Sequence, residues 1–270
     1  MDWREKGTQL MATPRIQSVD RAFSLLGYLA RKGGTESLPS MAAHCGLTVA
    51  TTHRLLATLE TLGAVIHTGP GEYRIGMGLV ELARLALPET LLAAASEPSL
   101  RRIVQTLGHT AHVGVLDQEF MVTYIAKLAR RTHRVPTRIG SKLEAYCSGL
   151  GKVLLAALPR EARATYISEG PFIPLTCNTI TDATLLEDEL ARISEQGFAV
   201  DDCEIFDDLR CVAVPIVDWS GTVIAALSTS APAAQFPRED VPEVARLLSE
   251  HAAHICAKLY PSAHPLQRPH

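Results

Sequence analysis

Three stretches of this chain set chemically useful residue types at useful spacings. The first is residues 140–156, GSKLEAYCSGLGKVLLA, where small residues lead into an apolar helix that opens at Ser148. Backbone N–H groups left free in a helix's first turn, together with the helix dipole, favour an anion. The same residues also suit a close-packed turn that needs glycine for steric room. The second stretch is residues 199–216, AVDDCEIFDDLRCVAVPI. Between Asp201 and Cys211 it holds four Asp, one Glu and two Cys. Carboxylates at 201, 202, 207 and 208 lack the alternation of a calcium loop. The thiols lack the C-x-x-C pairing of a zinc knuckle. No metal site is expected, and the stretch reads as a solvated acidic loop leading into a buried strand. The third is residues 226–230, ALSTS. On a strand, Ser228 and Ser230 share one face, and two hydroxyls facing a core are costly without polar partners. They point to a polar ligand or a hydrogen-bond network. Neither serine lies in a G-x-S-x-G turn, so no hydrolase nucleophile is expected.

A fourth stretch is suited to nucleic acid. Thr48, Ala50, Thr51, Thr52, His53 and Arg54 fill the first two turns of an apparent helix anchored by Leu55, Leu56, Leu59 and Leu62. Thr hydroxyls can meet phosphates or bases, and Arg54 can meet guanine or phosphate. A surface helix with a solvated polar face would have the same composition. The surrounding elements favour recognition. Apolar residues at 3-and-4 spacing from Val19 to Ala30 mark a first helix, ended by Gly33-Gly34. A short helix follows from Leu38 to His44 with Pro39 in its first turn, and a tight turn at Cys45–Leu47 leads to Thr48 as N-cap. Two extended pieces flanking Gly69-Pro70-Gly71 complete a hairpin. This is a winged helix-turn-helix, with His67 and Arg74 on the wing in reach of phosphate or minor groove.

Residues 77–107 are expected to be helical with breaks at Pro88 and Pro98, the stretch GLVELARLAL forming a linker helix. Strand-like HVGVLD, FMVTYIAKL and HRVPTRIG follow. Helices are then expected at 148–158, 160–168 and 182–196, two strands joined at 218–221, and a last helix over 238–259. This mixture is an α+β body. The net charge of −3 is unevenly spread. Residues 1–77 hold eight Lys and Arg against six Asp and Glu; residues 78–270 hold eighteen against twenty-three. A mildly basic head on an acidic body suits a polyanion meeting the head alone. With so little basic charge, several heads on one site are needed for tight binding. No run of apolar residues is long enough for a membrane span, and the first residues lack the apolar core of a secretory signal. The six cysteines show no framework spacing, which fits reduced thiols in the cytoplasm.

Seven stretches in register resemble the IclR-type transcriptional regulators over about residues 15–260. They are IQSVDRAFSLLGYLA, THRLLATLETLGAV, EYRIGMGLVELA, RIGSKL, GLGKVLLAALP, GFAVDDCE and LRCVAVPIVDWSGTVIAALSTS. The resemblance implies a flexible leader over 1–14, a winged helix-turn-helix domain over 15–76, and a linker helix over 77–92. A GAF-like α/β effector-binding domain over 93–261 and a flexible tail over 262–270 follow. It further implies a homodimer or tetramer on a palindromic double-stranded operator, gated by a small carboxylate effector, regulating a catabolic operon, with no enzyme activity and no cofactor. Carried over position by position, the effector site comprises the helix-start amides of Gly149 and Leu150, Asp201, Leu209 and Cys211 at the following strand, and the strand hydroxyls Ser228 and Ser230. Val135 and Leu143 form apolar wall. The family often has Pro-Leu-His before the effector helix, where this chain has Glu144-Ala145-Tyr146. Tyr146 and Cys147 resemble the branch that responds to aromatic acids, and Tyr146 can stack on such a ligand or turn into the core. Leu150 is bulkier than the usual small residue and narrows the pocket. Two alternatives stay open: a thiol redox enzyme using Cys147 or Cys211, and a zinc-stabilised sensor using His109, His112 and a cysteine.

Overall fold

The computed structural model describes residues 16–129, 135 and 137–260. The expected leader and tail lie outside them, as do His133, Arg134 and Pro136 of the expected HRVPTRIG strand; its described residues form no strand but a loop and turn leading to Lys142. The chain divides into two compact units between Ala86 and Leu87. Among the described residues no helix is long and apolar enough to cross a membrane.

The first unit holds α1 (Gln17–Lys32), β1 (Glu36–Ser37), α2 (Leu38–His44), α3 (Val49–Thr61), β2 (Val65–Gly69), β3 (Glu72–Ile75) and α4 (Met77–Leu85). Leu25, Leu29, Met41, Leu56 and Val65 are fully buried at its centre. Gly33 ends α1 with a left-handed backbone at φ 64°. Ser37 caps α2 by accepting from the Ser40 N–H, and Thr48 caps α3 by accepting from the Thr51 N–H, each satisfying an orphan first-turn donor. The three strands pair antiparallel in the order β1-β3-β2. Gly76 and Gly78 lie so close to the Gly63 backbone that a side chain at either position would collide with it. Leu62, expected inside, is 70% exposed: α3 ends at Thr61, so the inward-facing periodicity stops before it.

The second unit runs α5 (Pro88–Leu107), β4 (Thr110–Leu116), β5 (Met121–Leu128), β6 (Lys142–Glu144), α6 (Gly149–Ala156), α7 (Arg160–Ser168), α8 (Ala183–Gln196), β7 (Ala199–Asp202), β8 (Leu209–Val217), β9 (Val223–Pro232) and α9 (Val241–Leu259). The expected linker helix over 77–92 is two pieces. Leu87, in the left-handed region at φ 45°, and Pro88 separate α4 from α5. Pro98, by contrast, does not break α5. It lies on the exposed side of the helix, as does Ala94 one turn back, where water can serve the carbonyl that loses its N–H partner.

The strands form one antiparallel six-stranded sheet in the order β6-β5-β4-β9-β8-β7. Alternation along β9 assigns its two faces. Ala225, Leu227 and Ala231 join a core with α5 and α9, whereas Ala226 joins one with α6, α7 and α8. Val212, Val214 and Ile216 on β8 belong to the first core, and Ala213 to the second. Asp201 and Asp202 are strand residues, not loop as expected, and Asp201 and Glu204 are buried; Asp207 and Asp208 remain exposed. β7 gains these residues by pairing with β8, Asp201 opposite Cys211.

Gly151 in α6 packs directly on the Ala145 backbone, which a methyl at that position would overlap. Gly151→Ala should lower the urea midpoint by the equivalent of about 1–3 kcal/mol, with an unchanged denaturant slope. A wild-type midpoint would show that the close approach is not obligatory.

Candidate functional site

In the first unit α3 offers a narrower face than its sequence suggests. Ala50, His53 and Arg54 are exposed and Thr51 is half-buried. The Thr48 hydroxyl donates to Thr51 Oγ1 at 2.9 Å, locking both side chains at the helix start. Thr52 is fully buried, and its hydroxyl donates to the Thr48 carbonyl at 3.0 Å. It is therefore a packing residue and not a contact for DNA, because it falls on the inner side of the helix with Leu56 and Leu59. On the hairpin, Ile66 lies opposite Arg74 and His67 opposite Tyr73. Cross-strand partners share a face, so His67 and Arg74 point to opposite sides of the wing. The His67 ring lies tilted against Tyr73 at 4.9 Å between centroids and accepts the Gly71 N–H. It holds the turn, which leaves Arg74 as the exposed cation of the wing.

In the second unit a cavity of about 170 Å³ opens on the α6 side of the sheet. Val135, Leu143, Gly149, Leu150, Asp201, Leu209, Cys211, Ser228 and Ser230 all line it. The strand register explains why. Asp201 lies opposite Cys211, Cys211 opposite Ser230 and Ser230 opposite Thr110, so one polar row crosses four strands. Leu209 is the first residue of β8 itself. Tyr146 is the exception. It is buried outside the cavity, stacked on Phe172 at 4.7 Å, with its hydroxyl donating to the Ile173 carbonyl at 2.7 Å. The aromatic side chains in the cavity are Tyr124 and Phe206 instead, with Ile205 as further apolar wall. Alternation on β5 marks Tyr124 as inward-facing, but nothing in the sequence says what lies in front of it.

The floor is the start of α6. Ser148 Oγ accepts from the Gly151 N–H at 3.0 Å, and the Ser148 carbonyl accepts from the Lys152 N–H. Of the four orphan donors at the helix start, the Ser148 N–H reaches the Ala145 carbonyl and the Gly151 N–H the cap, which leaves those of Gly149 and Leu150, two residues lining the cavity. A side chain at 149 would press on Cys211 Sγ, and the tip of Leu150 rests over Gly114. Ser228 is 1% exposed, and its Oγ has no partner apart from the weak contact of both serines with the Cys211 thiol. Asp201 is 2% exposed, with Oδ1 accepting the Glu204 N–H at 2.7 Å. Burial is the main force pushing its carboxyl up to about 7, opposed by that hydrogen bond and reinforced by the Glu204 charge. One wall is held from behind. Lys127 Nζ donates to the Val135 and Thr137 carbonyls, and His112 Nε2 meets Thr137 Oγ1 at 2.8 Å. Burial drives the His112 imidazole down to about 3, so it is neutral at physiological pH.

The two chemical alternatives fail on this geometry. Burial pushes the Cys147 and Cys211 thiols up to about 12, the reverse of the activated thiolate a redox enzyme needs. His112 is engaged by Thr137 and lies tilted against Tyr124, and the His109 ring lies tilted against Phe236. Among the described residues no three His, Cys, Asp or Glu gather as metal ligands.

Comparison with known proteins matches both units. Residues 85–257 match the model of the bacterial transcriptional regulator IclR C-terminal domain, and residues 18–68 match the IclR helix-turn-helix domain. The chain is 31% identical over 247 residues to the transcriptional repressor IclR of Escherichia coli, covering 90% of each. Among solved structures it is similar to the IclR of Thermotoga maritima, with a TM-score of 0.60, 29% identity, and coverage of 91% of this chain and 98% of that one. It is likewise similar to an IclR homolog from Microbacterium hydrocarbonoxydans complexed with 4-hydroxybenzoate, with a TM-score of 0.60, 25% identity, and coverage of 90% and 98%.

Because the folded-state pKa of Asp201 lies above that of an unfolded aspartate, its contribution to stability is full below about pH 4 and is lost as pH rises through about 7. Asp201→Asn removes that ionisation and keeps an oxygen for the Glu204 N–H. The variant should lose less stability than wild type between pH 5 and pH 8, by about 1 kcal/mol or more. Urea midpoints at the two pH values measure this; parallel losses in both proteins would show that Asp201 does not ionise over that range.

Proposed function

We propose, from the premise that this chain belongs to the IclR family of bacterial transcriptional regulators, that it is a cytoplasmic, homo-oligomeric regulator whose operator binding is gated by a small hydroxy-, keto- or aromatic acid. The family premise covers DNA binding through the helix-turn-helix and a small molecule in the C-terminal domain, and it excludes an enzyme. The choice of effector rests on one observation: a cavity pairs two helix-start amides with Asp201 and a Ser228 hydroxyl held only by its weak contact with the Cys211 thiol. A carboxylate on the Gly149 and Leu150 amides would take the anion's place at the helix start. A second polar group, hydroxyl or carbonyl, would meet Ser228, Ser230 and the carboxyl of Asp201. Asp201 titrates near neutrality, so it can donate to a ligand oxygen or accept from a ligand hydroxyl. The volume fits one ring or a chain of a few carbons, since a cavity of about 150 Å³ holds benzene. The solved relative bound to 4-hydroxybenzoate carries a ligand of this description. The aromatic preference rests on Tyr124 in place of Tyr146.

In the head, Ala50, Thr51, His53 and Arg54 of α3 are the proposed base and phosphate contacts, with Arg74 on the wing. Leu82 and Leu85, 66% and 80% exposed on α4 and three residues apart, suit a homodimer contact that sets two heads on a palindromic operator. The effector acts by linkage. Binding one arrangement of the heads more tightly shifts the population toward it, by no more than the difference in affinity.

Two tests follow from this reading. The full-length protein selects a duplex from a random pool, and Arg54→Ala should bind it more weakly by about 1–3 kcal/mol with an unchanged thermal midpoint; undiminished affinity would remove Arg54 from the interface. A thermal-shift screen of hydroxy-, keto- and aromatic carboxylates should give a hit worth about 2.7 kcal/mol at a hundredfold its Kd. Ser228→Ala with Ser230→Ala should abolish that shift while keeping duplex binding. A full shift in the double variant would place the ligand elsewhere.

A further inference from the structure

Apart from the effector cavity, a second depression of about 560 Å³ opens beside the edge strand β7, between α8 and the start of α9. Glu204 lies at its floor, 4% exposed. Its Oε1 receives the Lys152 ammonium, while Oε2 is buried with no full hydrogen bond, the carboxyl having only a weak further contact with the Asp202 N–H. Lys152 also serves Glu189 at 3.3 Å, whose other oxygen is held by Arg192, so of the two carboxylates Glu204 is the one with an oxygen left over. Two guanidiniums stand at the rim. Arg192, paired with Glu189, has a side chain 65% exposed; Arg238, paired with Asp202 at 2.5 Å, has one 76% exposed. Each guanidinium has five N–H donors in a fork suited to carboxylates, and one ion pair does not exhaust them. Ile180, Phe198 and Val241 supply apolar wall.

An acceptor in want of a cationic donor, two cations at the rim and an apolar wall describe a zwitterion with an apolar side chain. We propose that this cleft is a second ligand site, for an apolar α-amino acid. The ammonium sits on Glu204 Oε2, the carboxylate between Arg192 and Arg238, and the side chain against Ile180, Phe198 and Val241. The two sites are in contact through the protein. The Glu204 N–H donates to Asp201 Oδ1, and Lys152, which Glu204 holds, belongs to the helix whose first amides floor the effector cavity. The amino acid site does not rest on the identity of the effector.

Calorimetry of the full-length protein with L-leucine, N-acetyl-L-leucine and L-leucinamide tests the assignment without DNA or an effector acid. L-leucine should bind saturably, one per chain, at about 1 mM or tighter. N-acetyl-L-leucine, lacking the ammonium, and L-leucinamide, lacking the carboxylate, should each bind at least about tenfold more weakly. Glu204→Gln should weaken L-leucine to the same degree. Arg192→Ala with Arg238→Ala should do so too, and this second variant changes exposed side chains, so it tests the site even if Glu204→Gln fails to fold. Absence of saturable heat would mean a solvent-filled cleft and overturn the proposal. Equal binding of the N-acetyl form, or undiminished binding in the arginine double variant, would overturn it as well.

Discussion

Lys152 carries its ammonium into the interior, 1% exposed, where desolvation alone costs several kcal/mol. The charge is tolerated only because three acceptors converge on it: Glu189 from α8, the Val200 carbonyl from β7 at 2.6 Å, and Glu204 from the turn that follows. Losing one partner of such a cluster typically costs about 3–5 kcal/mol, so the relative positions of α6, α8 and β7 are tightly specified. The first amides of α6 floor the cavity beside the sheet, and the Glu204 N–H fixes Asp201. The polar geometry of the cavity is thus referred to one lysine that does not line it.

The sheet supplies the rest of that geometry by register alone. Asp201, Cys211 and Ser230 lie on three neighbouring strands, opposite one another. Ser228 lies opposite Ala213 on one side and His112 on the other. His112 in turn lies opposite Lys127, and the two together hold the wall at Val135 and Thr137. Residues distant in sequence meet because antiparallel pairing brings them abreast.

Much of this was legible in the sequence because it is local. Thr48 and Ser148 are caps whose hydroxyls serve the next turn, and the two-residue spacing of Ser228 and Ser230 fixes a shared face whatever the strand packs on. The misreadings concern partners that local pattern does not encode. Thr52 has the composition of a contact residue but falls on the inner side of α3. Tyr146 lies two residues before the helix start yet turns into a stack with Phe172, a residue brought close only by the fold. Asp201 has the composition of a solvated loop residue, and only pairing with β8 reveals it as buried. Lys152 and Glu204 are individually unremarkable charges whose burial depends on three elements at once. Of the two readings of the glycine-rich helix start, the close-packed turn is seen at Gly151, which presses on the Ala145 backbone, while the anion reading comes from the family resemblance.

The alternation along β9 and β8 also bears on how such a protein can change over time. Ala225, Leu227, Ala231, Val212 and Val214 build the core against α5 and α9, while Ser228, Ser230 and Cys211, interleaved with them, line the cavity. Neighbouring codons therefore fall under separate selection. A lineage can alter its chemical taste by exchanging residues on one face of two strands without disturbing the packing on the other. Two strands with divided faces make ligand preference an evolvable trait largely uncoupled from the survival of the fold.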